Sequence, residues 1–360
     1  MREKDVRRDC LHFRGDVPCG PHKSKGVHCS DCDEFVARRG RILIIKLGAA
    51  GDVIRTTPLL SPLAERYPEH RISWITQYPD LVPSIVHDRL RFGAEAVQWA
   101  RRTRFDVLIN LDKDREACAL ADEVQADAKF GFTLGDDGFC APVDDGPAAA
   151  KYLTGLFDDV SQANELSYLQ EIFAICGFTF AGEDYVLDRP AEAPDIAVPS
   201  GKAVIGLNTG CGGRWTSRLW PDRYWAQLVG LLQQAGHGVM LLGGPDEDAR
   251  NSVMAGTTGA AYPGTFSLRD FIGVMDRCDL VVSAVTMAMH IAIGLHKPLV
   301  LLNNIFNPRE FELYGRGVIV QPEQPCTCYF QPRCRNENFC LETLRPEAVR
   351  DAVAGLLERS

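Results

Sequence analysis

Arg41 to Val53 reads RILIIKLGAAGDV, and Ala203 to Pro221 reads AVIGLNTGCGGRWTSRLWP. In each, a short apolar run ends in glycines and small residues, and a helical stretch follows. Such a run between breaker residues reads as a buried strand. Glycine lets the backbone approach a ligand closely, and the free N–H groups at the start of the next helix favour an anion, typically a phosphate. Two such units in one chain predict two nucleotide-binding-type halves facing a cleft, the arrangement of an enzyme that joins two substrates.

The rest of the chain suits that reading. Its 360 residues allow two domains of ordinary size. With 46% hydrophobic residues, each half can bury a core. A net charge of −9 argues against a nucleic-acid partner. No apolar run reaches the length of a membrane span. Met1, Arg2, Glu3, Lys4 and Asp5 lack the apolar core of a signal peptide. The expected location is cytoplasmic, peripheral to the inner membrane at most.

Strand and helix patterns alternate in both halves, which implies parallel sheets and an α/β fold. In the first half, strands are expected at 42–47, 71–76, 106–111 and 129–132, and helices at 52–67, 114–125 and 164–176. Pro58 should kink the first helix or mark its true start. Residues 134–147, rich in Gly, Asp and Pro, read as a loop. In the second half, strands are expected at 204–207, 238–242, 280–283 and 298–302. Helices are expected at 221–235, 246–255, 267–277, 287–295 and 346–358. The expected domains are a Cys/His-rich element over 1–39, a Rossmann-like acceptor domain over 40–190, and a hinge over 191–200. A Rossmann-like donor domain over 201–345, with a Cys-rich segment at 326–340, precedes a closing helix over 346–360. Three prolines between Arg189 and Gly201 suit a hinge.

The 13 cysteines are clustered. Cys10, Cys19, Cys29 and Cys32 lie near the N-terminus, with His12, His22 and His28 among them. Cys326, Cys328, Cys334 and Cys340 lie near the other end. In a reducing compartment, clustering points to a metal before disulfides. Four thiols with a CxxC suit a four-ligand zinc site, and a short polar stretch gains its folding energy from such a metal. Zinc, iron and free thiols stand open, as does one site shared by both clusters. A structural metal is the preferred reading.

ILIIKLGAAGD with its following TTPLL resembles the opening of the bacterial family 9 glycosyltransferases, the lipopolysaccharide heptosyltransferase group. FDVLINLDKD at Phe105 to Asp114 resembles the same family. So do GLNTGCGGRWTSRLWP, LLGGPDE at Leu241 to Glu247, and CDLVVSAVTMAMHIAIGLHKPLVLL. The resemblance runs from about Arg41 to the C-terminus and leaves the Cys-rich N-terminus outside. It implies a GT-B architecture of two Rossmann-like domains. It also implies inverting transfer of a heptose from an ADP-linked donor without a catalytic metal. Some protein-modifying relatives carry a four-cysteine iron site near the second cluster.

The resemblance assigns roles. Spacing alone favours Asp52 as an N-cap aspartate; its family counterpart is the general base that takes the acceptor hydroxyl proton. Lys46 and Lys113, at strand ends, are implied acceptor contacts, and a solvated lysine is the rival reading for each. Thr209, Gly210, Gly212 and Gly213 form the donor loop, with Arg214 and Arg218 beside it. Fixed cations there would stabilise the departing diphosphate. Arg218 stands where the family often has lysine. Gly244 is an implied donor contact and Glu247 an implied ribose contact, although Glu247 equally suits a helix start. Thr286, Met287 and Ala288 would present N–H groups to the diphosphate, supported by His290; a core histidine is the rival reading. Val285 replaces a family aspartate and Met287 a family glycine, so the donor sugar is not fixed by the resemblance. The acceptor is a glycan, a protein or a small molecule. The rival functions are a transferase for another nucleotide sugar and a non-catalytic, metal-stapled binding module. A dehydrogenase is disfavoured because the first loop lacks GxGxxG.

Overall fold

The computed structural model describes every residue except Met1, Pro325, Asn338 and Ser360. The chain forms two compact units. The first comprises Met1–Leu47, Leu59–Pro79 and Ser84–Ala148; the second comprises Gly48–Pro58, Asp80–Pro83 and Ala149–Ser360. The first glycine loop is therefore divided: Lys46 and Leu47 belong to one unit, Gly48 onward to the other.

The first unit is built on a six-stranded sheet in the order β3-β2-β1-β4-β5-β6. Its strands are β1 (Gly40–Ile45), β2 (His70–Thr76), β3 (Asp88–Arg91), β4 (Phe105–Asn110), β5 (Ala126–Leu134) and β6 (Cys140–Pro142). β1 to β5 pair in parallel, and β6 returns antiparallel on β5. Ile42 to Ile45, in the middle of the sheet, have no exposed surface. A continuous apolar run is what a strand covered on both faces requires. One face packs Leu43, Ile45 and Leu108 against Ala117, Leu120 and Ala121 of the helix Arg115–Glu123.

Two features of this unit differ from expectation. Part of the stretch expected as a loop over 134–147 is strand β6. Gly135 N–H bonds the Phe139 carbonyl (2.7 Å), and Gly138 sits at φ +77°, closing a hairpin turn. The Gly and Asp residues mark that turn rather than a long loop. Edge strand β3 has no expectation behind it, because DRLR carries one apolar residue. It is held by charge: Asp88 accepts from Nη2 and Nε of Arg71 (2.6 and 2.7 Å) and from the Ser73 hydroxyl (2.8 Å).

The N-terminal element belongs to this unit. Cys10 and Ala37 form an antiparallel bridge, and Leu11 N–H bonds the Val36 carbonyl (2.8 Å). Arg71 also donates to the carbonyls of Leu11 (2.7 Å) and Phe13 (3.1 Å). The short helix Gly20–Lys25 lies between the second and third of its cysteines.

The second unit carries a five-stranded parallel sheet in the order β11-β10-β9-β7-β8. These strands are β7 (Val204–Asn208), β8 (Gly238–Leu242), β9 (Leu280–Ala284), β10 (Leu299–Leu302) and β11 (Gly317–Val320). Helices Asp222–Gln234 and Pro346–Leu357 cover one face, with Trp220 and Trp225 edge to face at 4.8 Å. Helix Met287–Gly294 follows β9 and is buried on every side from Ala288 to Gly294, as its unbroken apolar sequence demands. The stretch 191–200 has no regular structure; Pro190 and Pro194 pack on Gly273 of the helix Leu268–Asp276.

Candidate functional site

In the first unit, Lys46 is buried, and its ammonium pairs with the Asp112 carboxylate. The other Asp112 oxygen accepts the Leu47 N–H. Burial of a charge requires such a partner, so Lys46 is not a solvated edge lysine. Asn110 fixes the turn that presents Asp112, accepting its N–H (3.1 Å) and donating to its carbonyl (3.1 Å). Lys113 lies 5.5 Å over the Phe132 ring. Asp114 is the N-cap residue of the helix Arg115–Glu123.

In the second unit, Asp52 sits in the first turn of the helix Ala50–Ile54. It is not the N-cap; Ala49 is, and the Asp52 carboxylate reaches back to the Ala49 N–H (3.2 Å). A 3-10 turn over Thr57–Leu59 then accommodates Pro58 before the helix Leu60–Arg66. Arg55 pairs with Asp52 (2.8 Å) and with Glu310 (2.6 Å), and its guanidinium stacks 3.5 Å from the Tyr168 ring. The two carboxylates hold the Arg55 charge firmly, raising its pKa against the opposing pull of burial.

His290 packs against the same helix. A Cβ built on Gly51 would meet the His290 ring at 2.5 Å, so only glycine fits there. The Tyr185 hydroxyl lies 3.2 Å from His290 Nδ1. Burial, then the Arg55 charge, push His290 down to about 3, outweighing the opposing effect of Asp52. His290 is thus a neutral core histidine that supports the first loop.

The second loop starts where β7 ends. Asn208 donates to the Gly210 carbonyl (3.1 Å), Ser283 Oγ (3.2 Å) and Thr286 Oγ1 (3.3 Å), joining the ends of β7 and β9. Thr209 donates to Asn251 (2.7 Å), and Arg250 donates to the Thr209 carbonyl (3.0 Å). Gly212 adopts φ +72°, while Gly213 and Arg214 are exposed. Arg218 is half-buried and donates to the Val285 and Cys211 carbonyls. It lies over Trp215 and Phe306, 5.4 and 5.6 Å from the ring centres. Among the described residues no carboxylate pairs with it, and burial lowers its pKa. Thr286 is the N-cap of the helix Met287–Gly294, with Met287 and Ala288 in its first turn. Glu247 is buried; its carboxylate accepts the Gly244 N–H (2.9 Å) and packs where a Cβ on Gly210 would stand.

The structure thus gathers Asp52 and His290 around one helix turn, and Thr209 to Arg218, Thr286 and Glu247 around the ends of β7, β8 and β9. It adds Asp112, Arg55, Glu310, Tyr185, Arg250 and Asn251, which sequence reasoning misses. Asp112 stands inside a motif already quoted; the others carry no local signal.

None of the 13 cysteines forms a disulfide. Cys10, Cys19, Cys29 and Cys32 line one cavity with His12, His22 and His28. Near the other end, Cys328 Sγ lies 3.6 Å from Cys334 Sγ, and Cys326 is hydrogen-bonded to Cys340. Among the described residues, no three His, Cys, Asp or Glu side chains are drawn together as ligands of one ion.

His290 makes stability pH-dependent. Its folded pKa of about 3 lies below the unfolded 6.5, so the unfolded chain takes up a proton first. The associated stability is complete above 6.5 and is lost as pH falls toward 3, by about 2 kcal/mol at pH 5. Chemical denaturation at pH 7.5 and pH 5 should show His290→Gln losing less stability on acidification than wild type, by about that amount. Equal losses would contradict the assignment.

Residues 182–339 match the family model described as "Glycosyltransferase family 9 (heptosyltransferase)". Lipopolysaccharide heptosyltransferase 1 of Pseudomonas aeruginosa is 23% identical over 359 residues, spanning 88% of this chain and 98% of the relative. The crystal structure of a family 9 glycosyl transferase from Veillonella parvula superposes with a TM-score of 0.63 at 18% identity. It covers 89% of this chain and 98% of its own. A dodecameric iron-containing heptosyltransferase, TibC, in complex with ADP-D-beta-D-heptose, superposes with a TM-score of 0.54 at 14% identity, covering 89% of this chain and 78% of its own. No helix among the described residues is long and apolar enough to cross a membrane. With the family model on its second half and a curated relative aligned along most of its length, the chain is a family 9-like glycosyltransferase with the GT-B fold.

Proposed function

We propose that this glycosyltransferase moves a heptose, or a closely similar sugar, from an ADP-linked donor to a hydroxyl acceptor, with inversion. The observation that carries the reading is Arg218. A half-buried guanidinium bonded to two carbonyls carries a charge that no carboxylate among the described residues neutralises. It stands beside a glycine loop and a helix N-terminus, which together attract phosphate. As the sugar–diphosphate bond breaks, negative charge builds on the leaving group, and fixed cations and N–H donors lower that barrier. Arg214, Gly210, Gly212, Gly213, Gly244 and the first turn from Thr286 complete the cradle, and Glu247 takes the ribose. Asp52 accepts the acceptor hydroxyl proton as that oxygen attacks the anomeric carbon. Lys46 and Lys113 contact the acceptor. The relatives named for lipopolysaccharide and for an ADP-heptose complex support the donor and a glycan acceptor. The reading places the protein in the cytoplasm.

Val285 favours a second reading, a different nucleotide sugar, because no carboxylate stands there to meet a donor hydroxyl. Purified protein should therefore be offered ADP-heptose, ADP-mannose and UDP- and GDP-sugars, with released nucleoside diphosphate as the readout. Selective turnover of ADP-heptose, lost by 100-fold or more in Asp52→Ala (about the contribution of a general base), is expected. Turnover of another donor would move the sugar and keep the mechanism. Absence of both turnover and any nucleotide-dependent thermal shift would overturn the proposal.

We infer that each cysteine cluster takes a structural metal ion when its ligands close on it. Zn–S bonds of about 2.3 Å in a tetrahedron put sulfurs about 3.8 Å apart, close to the 3.6 Å between Cys328 and Cys334. Cys326 and Cys340 would complete that set. The segment also braces the donor loop: Ser217 bonds the Gln331 and Pro332 carbonyls, and Asn304 joins Cys340 to the Ser217 carbonyl. In the N-terminal cluster, His22 Nδ1 lies 2.9 Å from the Val27 carbonyl, which leaves Nε2 as a ligand beside Cys10, Cys19, Cys29 and Cys32. Elemental analysis should find zinc or iron bound, reduced in Cys328→Ser and, separately, in Cys29→Ser. Fully stable protein without either metal would contradict this.

A further inference from the structure

We propose that Arg55 and Glu310 act as a positioning couple that sets the basicity of Asp52. The inference rests on the reading of Asp52 as the general base. A carboxylate bound to a private arginine is a poor base, because the cation stabilises its charged form. Here the cation is shared. Arg55, with only 14% of its side chain exposed, meets Asp52 at 2.8 Å and Glu310 at 2.6 Å. The triad carries one net negative charge, where an Asp52–Arg55 pair alone would carry none. Glu310 draws guanidinium charge away from Asp52 and leaves it able to accept a proton.

The geometry is built to keep Glu310 there. It ends the 3-10 turn Pro308–Glu310, whose N-cap is Asn307. The Asn307 side chain accepts the Arg309 N–H (3.0 Å) and donates to the carbonyls of Ser161 (2.9 Å) and Asn164 (2.7 Å). Tyr168, at the start of the helix Tyr168–Ile175, supports the other face of the Arg55 guanidinium. Two other titratable groups near Asp52 carry no charge near neutrality. His290, on the helix packed against Gly51, is held neutral by burial. Tyr185, also within electrostatic reach, is pushed well above its ordinary range by burial. The Ala49 N–H supplies a hydrogen bond but no charge. The ion pairs at 2.8 and 2.6 Å make Arg55 and Glu310 the couple that tunes Asp52.

The test is the pH dependence of kcat/KM for wild type, Glu310→Gln and Arg55→Met, with the donor that the wild type turns over. Glu310→Gln leaves the whole cation to Asp52, so the ascending limb should move to lower pH, by about half a unit or more, and the plateau should fall several-fold. Arg55→Met removes the cation, so the limb should move to higher pH. Shifts of opposite sign are the signature, and a merely structural pair would not produce them. Nucleotide-dependent thermal shifts confirm folding, and Arg55→Lys, which keeps the charge, replaces Arg55→Met if that variant fails to fold; its limb should stay near the wild-type position. An unmoved limb in Glu310→Gln, with Asp52→Ala inactive, would overturn the couple and leave the base in place. Full turnover by Asp52→Ala would overturn both.

Discussion

A guanidinium taken out of water must be answered, and the second unit contains two that are answered differently. Arg55 meets two carboxylates and an aromatic face. Arg218 meets two carbonyl oxygens and two aromatic faces. Carbonyls supply hydrogen-bond partners but little of the counter-charge that a buried cation needs. The first site is electrostatically closed in the protein itself. Under the proposed function the second is completed by an anion, and its surroundings, a glycine turn and a helix start, suit a phosphate. The functional reading depends on that difference between the two.

The elements around these arginines are shaped to hold loops still. His290 is a neutral wedge against Gly51, with the Tyr185 hydroxyl at its Nδ1. Glu247 closes its own helix start and fills the space beside Gly210. Asn208 reaches from β7 to the hydroxyls of Ser283 and Thr286, locking the two strand ends where open α/β sheets bind their ligands. Preorganised loops of this kind bring fixed dipoles to a reacting centre without reorganisation during the reaction. In the first unit, the Lys46–Asp112 pair does similar work for the end of β1.

Much of the scaffold was legible in the sequence because buried strands are apolar without interruption. The runs at Ile42, Val107, Val204 and Leu280 fall in central strands, and the run at Val239 falls in β8, an edge strand that is nonetheless buried throughout. The glycine loops were legible because only glycine tolerates the contacts found at Gly51 and Gly210. Strand β3 was not, because its place is set by the Arg71–Asp88 pair rather than by apolar pattern. Asp112 was hidden for a different reason. The motif around it draws the eye to Lys113 and Asp114, and only the pairing of β1 with β4, with Ile45 opposite Asn110, shows which carboxylate reaches Lys46. Glu310 lies 255 residues from Arg55, and no local periodicity can signal such a contact.

The most direct test of the account is equilibrium binding of ADP, measured by titration calorimetry, to wild type and to Arg218→Met. Methionine keeps much of the side-chain bulk over Trp215 and Phe306 and removes the charge. If Arg218 is the cation that awaits the diphosphate, wild type binds ADP and the variant binds it at least tenfold more weakly, about the 1.4 kcal/mol expected of a charge-assisted contact. Equal binding by the two proteins, or no binding by the wild type, would contradict the assignment of the second loop as the donor site.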